Sequence, residues 1–322
     1  TPSEVTQTAD LLRNAERPHI HSGYGVLHAH GSAALQEVVE ALGCPATTSW
    51  AGRGAMPDDH HQLLPIWAMD PINKSRSEAD AVLVVGSRLG ETDWWGKPPY
   101  WGQPGEQKMV QVDIDDEILG LNKSTELAVL ADANAFLSAL AAELRSTPIS
   151  EERLQSNRAR TSELVEGQAK VRGQLDAALQ NTATPMHSSH VPVTCQKVFG
   201  NDAVYVFDGG NATVWASFFT DINNPDSLLS TFKFGMLGAG VSQALGGQIA
   251  KPDAKVVCII GDGAMGFHMQ ELETALRNEL PVIYLVPVSY THLRAHETMT
   301  GISYAVFCLR QGGGGGGGGG GG

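Results

Sequence analysis

Gly261-Asp262-Gly263-Ala264 follow the apolar run VVCII and precede a helix-prone stretch, GFHMQELETALRNEL, which leads into a second apolar run, PVIYLV. A glycine-rich turn between a buried strand and a helix lets backbone N–H groups come close to a phosphate, and the helix N-terminus adds a favourable dipole for negative charge. Asp262 places a hard carboxylate oxygen beside them. Mg²⁺ is commonly held by one or two protein oxygens together with phosphate oxygens, so the turn has the parts to hold a magnesium-bound diphosphate. Gly-Asp-Gly by itself also makes simple turns, and its setting must decide.

That setting is a parallel-sheet rhythm. From Pro18, short apolar runs alternate with helical stretches: PHIHSG, the amphipathic Ala33 to Leu42, PATTSW, AVLVVG at Ala81 to Gly86, and MVQVDID at Met109 to Asp115. The unbroken apolar character of AVLVVG suits a strand covered on both faces, and Ala133 to Leu144 closes the unit with a helix. Residues 1–145 are therefore expected to form one doubly wound α/β domain. Residues 146–190 are polar and helix-prone, which reads as a linker carrying a surface helix. A second α/β unit, 191–286, runs through AVYVFDGGN at Ala203 to Asn211, the Gly-punctuated helix FGMLGAGVSQALGGQIA, VVCIIGDG, a helix from about Gly266 to Arg277, and PVIYLV.

Composition narrows the function classes. With 322 residues, 42% hydrophobic and 18% charged, the chain has material for two compact units. A net charge of -13 without any Lys/Arg-rich run argues against a nucleic-acid surface, which needs clustered cations, and favours small-molecule ligands. The four cysteines, Cys44, Cys195, Cys258 and Cys308, show no paired spacing, so neither a disulfide framework nor a zinc site is expected, and a reducing cytoplasm fits. No run of about 18 apolar residues suggests a membrane span.

With strand, turn, helix and strand in this order, the sequence resembles the thiamine diphosphate-dependent enzymes, whose signature is GDG, about two turns of helix, a strand and then an Asn pair. GDGAMGFHMQELETALRNELPVIYLV follows that pattern up to Val286, and FGMLGAGVSQALGG resembles the family's preceding glycine-rich segment. The resemblance implies that Asp262 is a Mg²⁺ ligand and that the backbone of Gly261, Gly263 and Ala264 cradles the diphosphate. It implies that Gly210 and Asn211 touch the same diphosphate from an earlier loop. Gly235 would offer its carbonyl to the aminopyrimidine amine, and Leu237 would be the apolar prop that bends the cofactor. From the residues alone, Asn211 is equally a turn-capping residue and Leu237 could simply pack in a helix.

AGRGAMPDDH at Ala51 to His60 and GSRLGETD at Gly86 to Asp93 resemble the acetolactate synthase group. The resemblance implies decarboxylation of a 2-keto acid and transfer of the resulting carbanion, in a homodimer or homotetramer. Decarboxylases of the benzoylformate type, acyl-transferring relatives and a noncatalytic nucleotide-binding subunit stay open. HSGYGVLHAHG lacks the third Gly of a dinucleotide fingerprint, which leaves FAD or NAD open without predicting either. Trp94, Trp95, Tyr100 and Trp101 follow a strand's C-terminal end, where they could stack on a flavin or adenine, shape a substrate channel, or pack as a lid. His19, His21, His28 and His30 do not have a recognised metal spacing, His60, His61 and His268 read as surface or capping residues, and His187 and His190 precede a helix far from any ligand motif.

Two departures qualify the resemblance. The family's metal-binding Asn falls at Ser289, and the pyrimidine-binding domain with its catalytic Glu is not found ahead of Thr1, so no catalytic residue is assigned and this fragment is expected to be inactive. Val288 to Thr298 and Ile302 to Leu309 resemble a translated sequencing adapter and the primer that follows it, and Gly312 to Gly322 is an unbroken Gly run. Residues 287–322 are therefore expected to be a non-native, unstructured tail in which His292 and His296 carry no function.

Overall fold

The computed structural model describes residues 1–232, 235–288 and 303–308. Phe234 at the start of the expected glycine-punctuated helix, Ser289, His292, His296 and Gly312 to Gly322 lie outside the described residues. The first sheet is built from β1 (Pro18–Ser22), β2 (Ala46–Thr48), β3 (Ala81–Val85), β4 (Lys108–Asp113) and β5 (Leu127–Leu130), all parallel in the order β2-β1-β3-β4-β5. Its helices are α1 (Pro2–Asn14), α2 (Tyr24–His28), α3 (Ser32–Leu42), α4 (Met69–Glu78) and α5 (Ala133–Ser146). Neither α1 nor β5 was expected from the sequence. α1 has Pro at its start and buries Thr8, Ala9 and Leu12 along one face, a stripe too short and too polar to stand out.

Side chains alternate across this sheet as a strand's period of two requires. Ile20, Leu83, Val85, Val110 and Val112 enter a core with Leu12, Val38 and Leu137 of the helices, whereas Val82, Val84 and Met109 enter a second core with Trp101. The alternation sends His19 and His21 into that second face, fully buried. His19 Nδ1 lies 2.8 Å from Ser75 Oγ and its Nε2 2.9 Å from Thr47 Oγ1. His21 Nδ1 lies 3.1 Å from Arg76 Nη2. A guanidinium only donates, so His21 Nδ1 accepts and the ring proton sits on Nε2, 3.4 Å from Asp93 Oδ1. Trp101, with Arg76 over its ring at 4.9 Å, closes the cluster.

α6 (Glu151–Asp176) carries the helical part of 146–190 and lies along the first domain. It is held there by Asn157 Nδ2 donating to the Leu42 carbonyl at 2.8 Å, by Thr161 Oγ1 donating to the Gly43 carbonyl at 3.0 Å, and by buried Leu164 against Leu64 and Ile72.

The second sheet contains β6 (Val204–Asp208), β7 (Leu228–Ser230), β8 (Val256–Ile260), β9 (Ile283–Val288) and β10 (Ser303–Cys308), in the order β10-β9-β8-β6-β7. β6 to β9 pair in parallel and β10 pairs antiparallel to β9. The helices are α7 (His190–Phe199), α8 (Asn211–Phe219), α9 (Ala239–Ala250), α10 (Asp262–His268) and α11 (Glu271–Arg277). Val204, Val206, Val256, Cys258 and Ile260 face α9 and α10, while Tyr205, Phe207, Val257 and Ile259 face α7 and α8. Both domains are therefore doubly wound. Within the stretch expected to be an unstructured tail, residues 303–308 pair along the edge that β9 presents; SYAVFC is rich in the aromatic and β-branched types that suit a strand.

The domains meet at Arg53, whose guanidinium is buried. It binds Asp58 Oδ2 through Nε at 2.9 Å and Nη2 at 2.5 Å, and donates to the Ser217 carbonyl at 2.6 Å and to the Thr220 carbonyl. Asp58 also accepts from the Ile222 amide at 2.8 Å. Arg172 of α6 donates to the Phe218 carbonyl at 3.2 Å. The last carbonyls of α8, which have no partner within the helix and carry its negative dipole end, are thus covered by two cations from outside the cofactor-side sheet.

Two outcomes follow from these buried charges. Arg53→Met, which strands the Asp58 carboxylate, is expected to destabilise the chain by about 3–5 kcal/mol, and adding Asp58→Asn to recover most of that loss. Urea midpoints of the single and double variants measure both. Burial lowers the His19 and His21 imidazoles below their ordinary range, His19 well below it, with Arg76 adding to the effect. Below about pH 6.5 the unfolded chain then binds protons that the folded chain refuses, so stability falls by up to about 1.4 kcal/mol per pH unit for each ring. His19→Gln should flatten the slope of stability between pH 6.5 and 5, and an unchanged slope would show that His19 is not held neutral.

Candidate cofactor site

The glycine turns singled out from the sequence come together at the C-terminal edge of the second sheet, where ligands of parallel sheets bind. Asp208 ends β6, Gly210 caps the start of α8, and Asn211 is the first residue of that helix. Gly261 follows β8 and caps α10, whose first residues are Asp262, Gly263 and Ala264. The two turns touch: the Gly261 amide donates to the Asp208 carbonyl at 3.1 Å. Gly209 has φ +106°, and a Cβ on it would lie 3.0 Å from the Gly261 nitrogen. Only a residue without a side chain permits this approach.

A third turn completes the ring. The expected helix from Phe234 begins at Ala239, because Gly238 is left-handed at φ 91° and caps it. Gly235 and Leu237 consequently sit ahead of the helix, and Leu237 is 42% exposed, so it does not pack as a helix residue. Asn211 is also exposed. The expected helix from Gly266 to Arg277 starts four residues earlier, at Asp262, and is divided into α10 and α11 at Met269 and Gln270.

The parts present fit a diphosphate. Two helix starts, α8 and α10, follow adjacent turns joined by the Gly261–Asp208 bond, and Asp262, a carboxylate residue, is the first residue of α10. Asp262 makes an interaction of its own within the chain. Among the described residues no group of three or more His, Cys, Asp or Glu is placed to hold a metal.

A concavity of about 630 Å³ lies between the domains, with Tyr24, Ser49, Trp50, Arg88, Asp113 and Phe232 among its walls. Gly25 and Gly86, both on its lining, pack backbone to backbone: a Cβ at Gly25 would lie 2.7 Å from Gly86 Cα. Trp50 packs edge-on to Phe232, with ring centroids 5.1 Å apart. The aromatic segment anticipated from the sequence divides instead. Trp101 is buried and donates from Nε1 to the Asp93 carbonyl at 2.8 Å, while Trp94 stacks on Tyr100 at 4.2 Å. Trp50 and Tyr24 were missed. The available signal was their position just after apolar runs, at the same sheet edge.

Residues 5–140 match the family model described as "Thiamine pyrophosphate enzyme, central domain", and residues 208–288 match "Thiamine pyrophosphate enzyme, C-terminal TPP binding domain". Among curated relatives, a probable acetolactate synthase large subunit of Methanococcus aeolicus is 24% identical over 300 residues, covering 88% of this chain and 48% of that protein. A 2-hydroxyacyl-CoA lyase of Oryza sativa subsp. japonica is 28% identical over 289 residues, with the same coverages. Human 2-hydroxyacyl-CoA lyase 1 is 28% identical over 299 residues, again with 88% and 48%. The chain spans about half the length of the curated relatives it matches. No described helix is long and apolar enough to cross a membrane. The first matched segment contains the first sheet, the second runs from the end of β6 through β9 and takes in the glycine turns at that edge, and the chain belongs to the thiamine pyrophosphate enzyme family.

Proposed function

We propose that this chain contributes the central domain and the cofactor-binding domain of a thiamine diphosphate- and Mg²⁺-dependent enzyme that decarboxylates a 2-keto acid and ligates the product to a second carbonyl, as an acetolactate synthase does. The observation that carries the reading is the junction of the Gly209–Asn211 and Gly261–Ala264 turns, two helix starts joined by the 3.1 Å bond from the Gly261 amide to the Asp208 carbonyl. In it, amides at the starts of α8 and α10 hold the diphosphate, and Asp262 with phosphate oxygens holds the metal. Gly235 and Leu237 take the aminopyrimidine side. The bound cofactor would supply the electron sink that lets a bond beside a carbonyl break, and the chain's share is orientation and charge stabilisation.

The relatives named 2-hydroxyacyl-CoA lyase favour a second reading, cleavage of a 2-hydroxyacyl thioester, within the same cofactor chemistry. The interdomain cleft separates the two, since its aromatic walls and Arg88 would take the nucleotide end of a CoA substrate in the lyase and a flavin nucleotide or nothing in the synthase. Exposed Met236, Leu237, Phe267 and Met269 around the cofactor turns support closure by a second subunit in a homodimer or homotetramer. The buried free thiols Cys44, Cys195 and Cys258 support a cytoplasmic setting.

Titrating thiamine diphosphate into the chain with Mg²⁺, followed by tryptophan fluorescence, is expected to give saturable binding that EDTA abolishes. Asp262→Ala should weaken it about tenfold or more. Binding that ignores both EDTA and this substitution would remove Asp262 from the metal site. In a protein of the relatives' full length, acetolactate formed from pyruvate supports the synthase reading, and acyl-CoA cleavage without it supports the lyase.

A further inference from the structure

Asp208 has no part in the cofactor and metal contacts assigned above, yet it touches every turn that makes them. Its Oδ1 accepts from the Gly209 amide at 2.6 Å, its Oδ2 accepts from the Gly240 amide at 2.7 Å, and its main-chain oxygen accepts from the Gly261 amide at 3.1 Å. We infer that Asp208 is a positioning residue for the diphosphate, a buried carboxylate that sets the spacing of the three glycine turns so that the remaining amides converge on one anion. The inference rests on the thiamine diphosphate reading of this site.

The geometry distinguishes Asp208 from Asp262. Asp208 is 2% exposed, and its two carboxylate oxygens are committed to amides of different turns, which disposes it to hold backbone in place and leaves the metal to Asp262. Burial pushes its carboxyl up, while the amides of Gly240, Gly209 and Gly238 and the nearby His268 pull it back. The match is also steric. A Cβ on Gly240 would lie 2.5 Å from Asp208 Cβ, so α9 can approach the end of β6 this closely only through glycine. Gly209 is bonded to one carboxylate oxygen and Gly240 to the other, which makes the side chain a fixed spacer between the start of α8 and the start of α9.

Asparagine has the volume of aspartate but only one acceptor oxygen, so Asp208→Asn must turn an NH₂ group toward one of the two amides and lose that bond. The test is thiamine diphosphate affinity in the presence of Mg²⁺, measured calorimetrically on the full chain beside hydrogen exchange at Gly209 and Gly240. Asp208→Asn is expected to weaken binding about tenfold or more and to speed exchange at one or both amides. Gly240→Ala, which crowds the same carboxylate without changing its charge, is expected to weaken binding similarly and keeps the inference testable if Asp208→Asn fails to fold. Val206→Ala, a cavity in the same strand, should lower the denaturation midpoint while leaving affinity within about twofold. Unchanged affinity in Asp208→Asn or Gly240→Ala, or a loss that Val206→Ala shares, overturns the inference. Wild-type chain that binds no thiamine diphosphate overturns the cofactor reading, and a faster exchange at Gly209 or Gly240 in Asp208→Asn would then leave Asp208 only a structural strut.

Discussion

Backbone approaches backbone at the carboxyl edge of the second sheet more closely than side chains would allow. Gly209 stands against the Gly261 nitrogen and Gly240 against the Asp208 side chain, each where a Cβ would collide or crowd. The fold on either side serves this junction: Val204, Val206, Val256, Cys258 and Ile260 on one face, and Tyr205, Phe207, Val257 and Ile259 on the other, bury β6 and β8 completely and fix their ends side by side. A diphosphate is recognised by many weak donors in one place, and a rigid edge with no side chains in the way is an economical way to supply them.

The same logic explains what could be read from sequence. A turn that tolerates only glycine leaves a mark in the residue string, and strands buried on both faces leave continuous apolar runs, so GDGA, DGGN and the strands β6, β8 and β9 were legible, whereas the short, half-buried β7 was not. Helix starts were less so. α9 was expected from Phe234 and begins at Ala239, because a left-handed Gly238 ends the preceding turn, and α10 begins at Asp262 where a loop was expected to run to Gly266. α1 was missed because it presents only Thr8, Ala9 and Leu12 to the sheet. β10 was missed because the flanking composition argued against any structure, although SYAVFC taken alone has strand character. Asp208 carries no signature either, since a carboxylate that serves two amides looks in sequence like any acid at a strand end.

In the first domain, polarity is buried where a sheet face would ordinarily be apolar. His19, His21, Thr47, Ser75, Arg76 and Asp93 form one hydrogen-bonded cluster under Trp101. Burial raises the cost of the Asp93 charge, and His21, Arg76 and Ser87 together overcome it, so its carboxyl lies below the usual range. Such a network is stable only when each member is satisfied, and it therefore specifies one arrangement of β1, β2, α4 and the segment after Gly90. Asp93 also reaches the wall of the interdomain cleft. The fixed end of this network is thus a fixed side of that cavity.

The interdomain cleft and the glycine turns of the second sheet are connected through α8 and the segment after β7. Arg53 and Arg172 hold the C-terminal carbonyls of α8, and the other end of the same nine-residue helix carries Gly210 and Asn211 at the turn after β6. Trp50, on the wall of the cleft, packs against Phe218 of α8 and against Phe232, which precedes Gly235 and Leu237. Cations at the C-terminus and an anion at the N-terminus both favour the helix's dipole, which gives the central domain an electrostatic share in how the second domain presents its amides. The turn after β6 is therefore held from two sides: locally by glycine contacts at the ends of β6 and β8, and at the far end of α8 by the guanidinium groups of Arg53 in the first domain and Arg172 in α6.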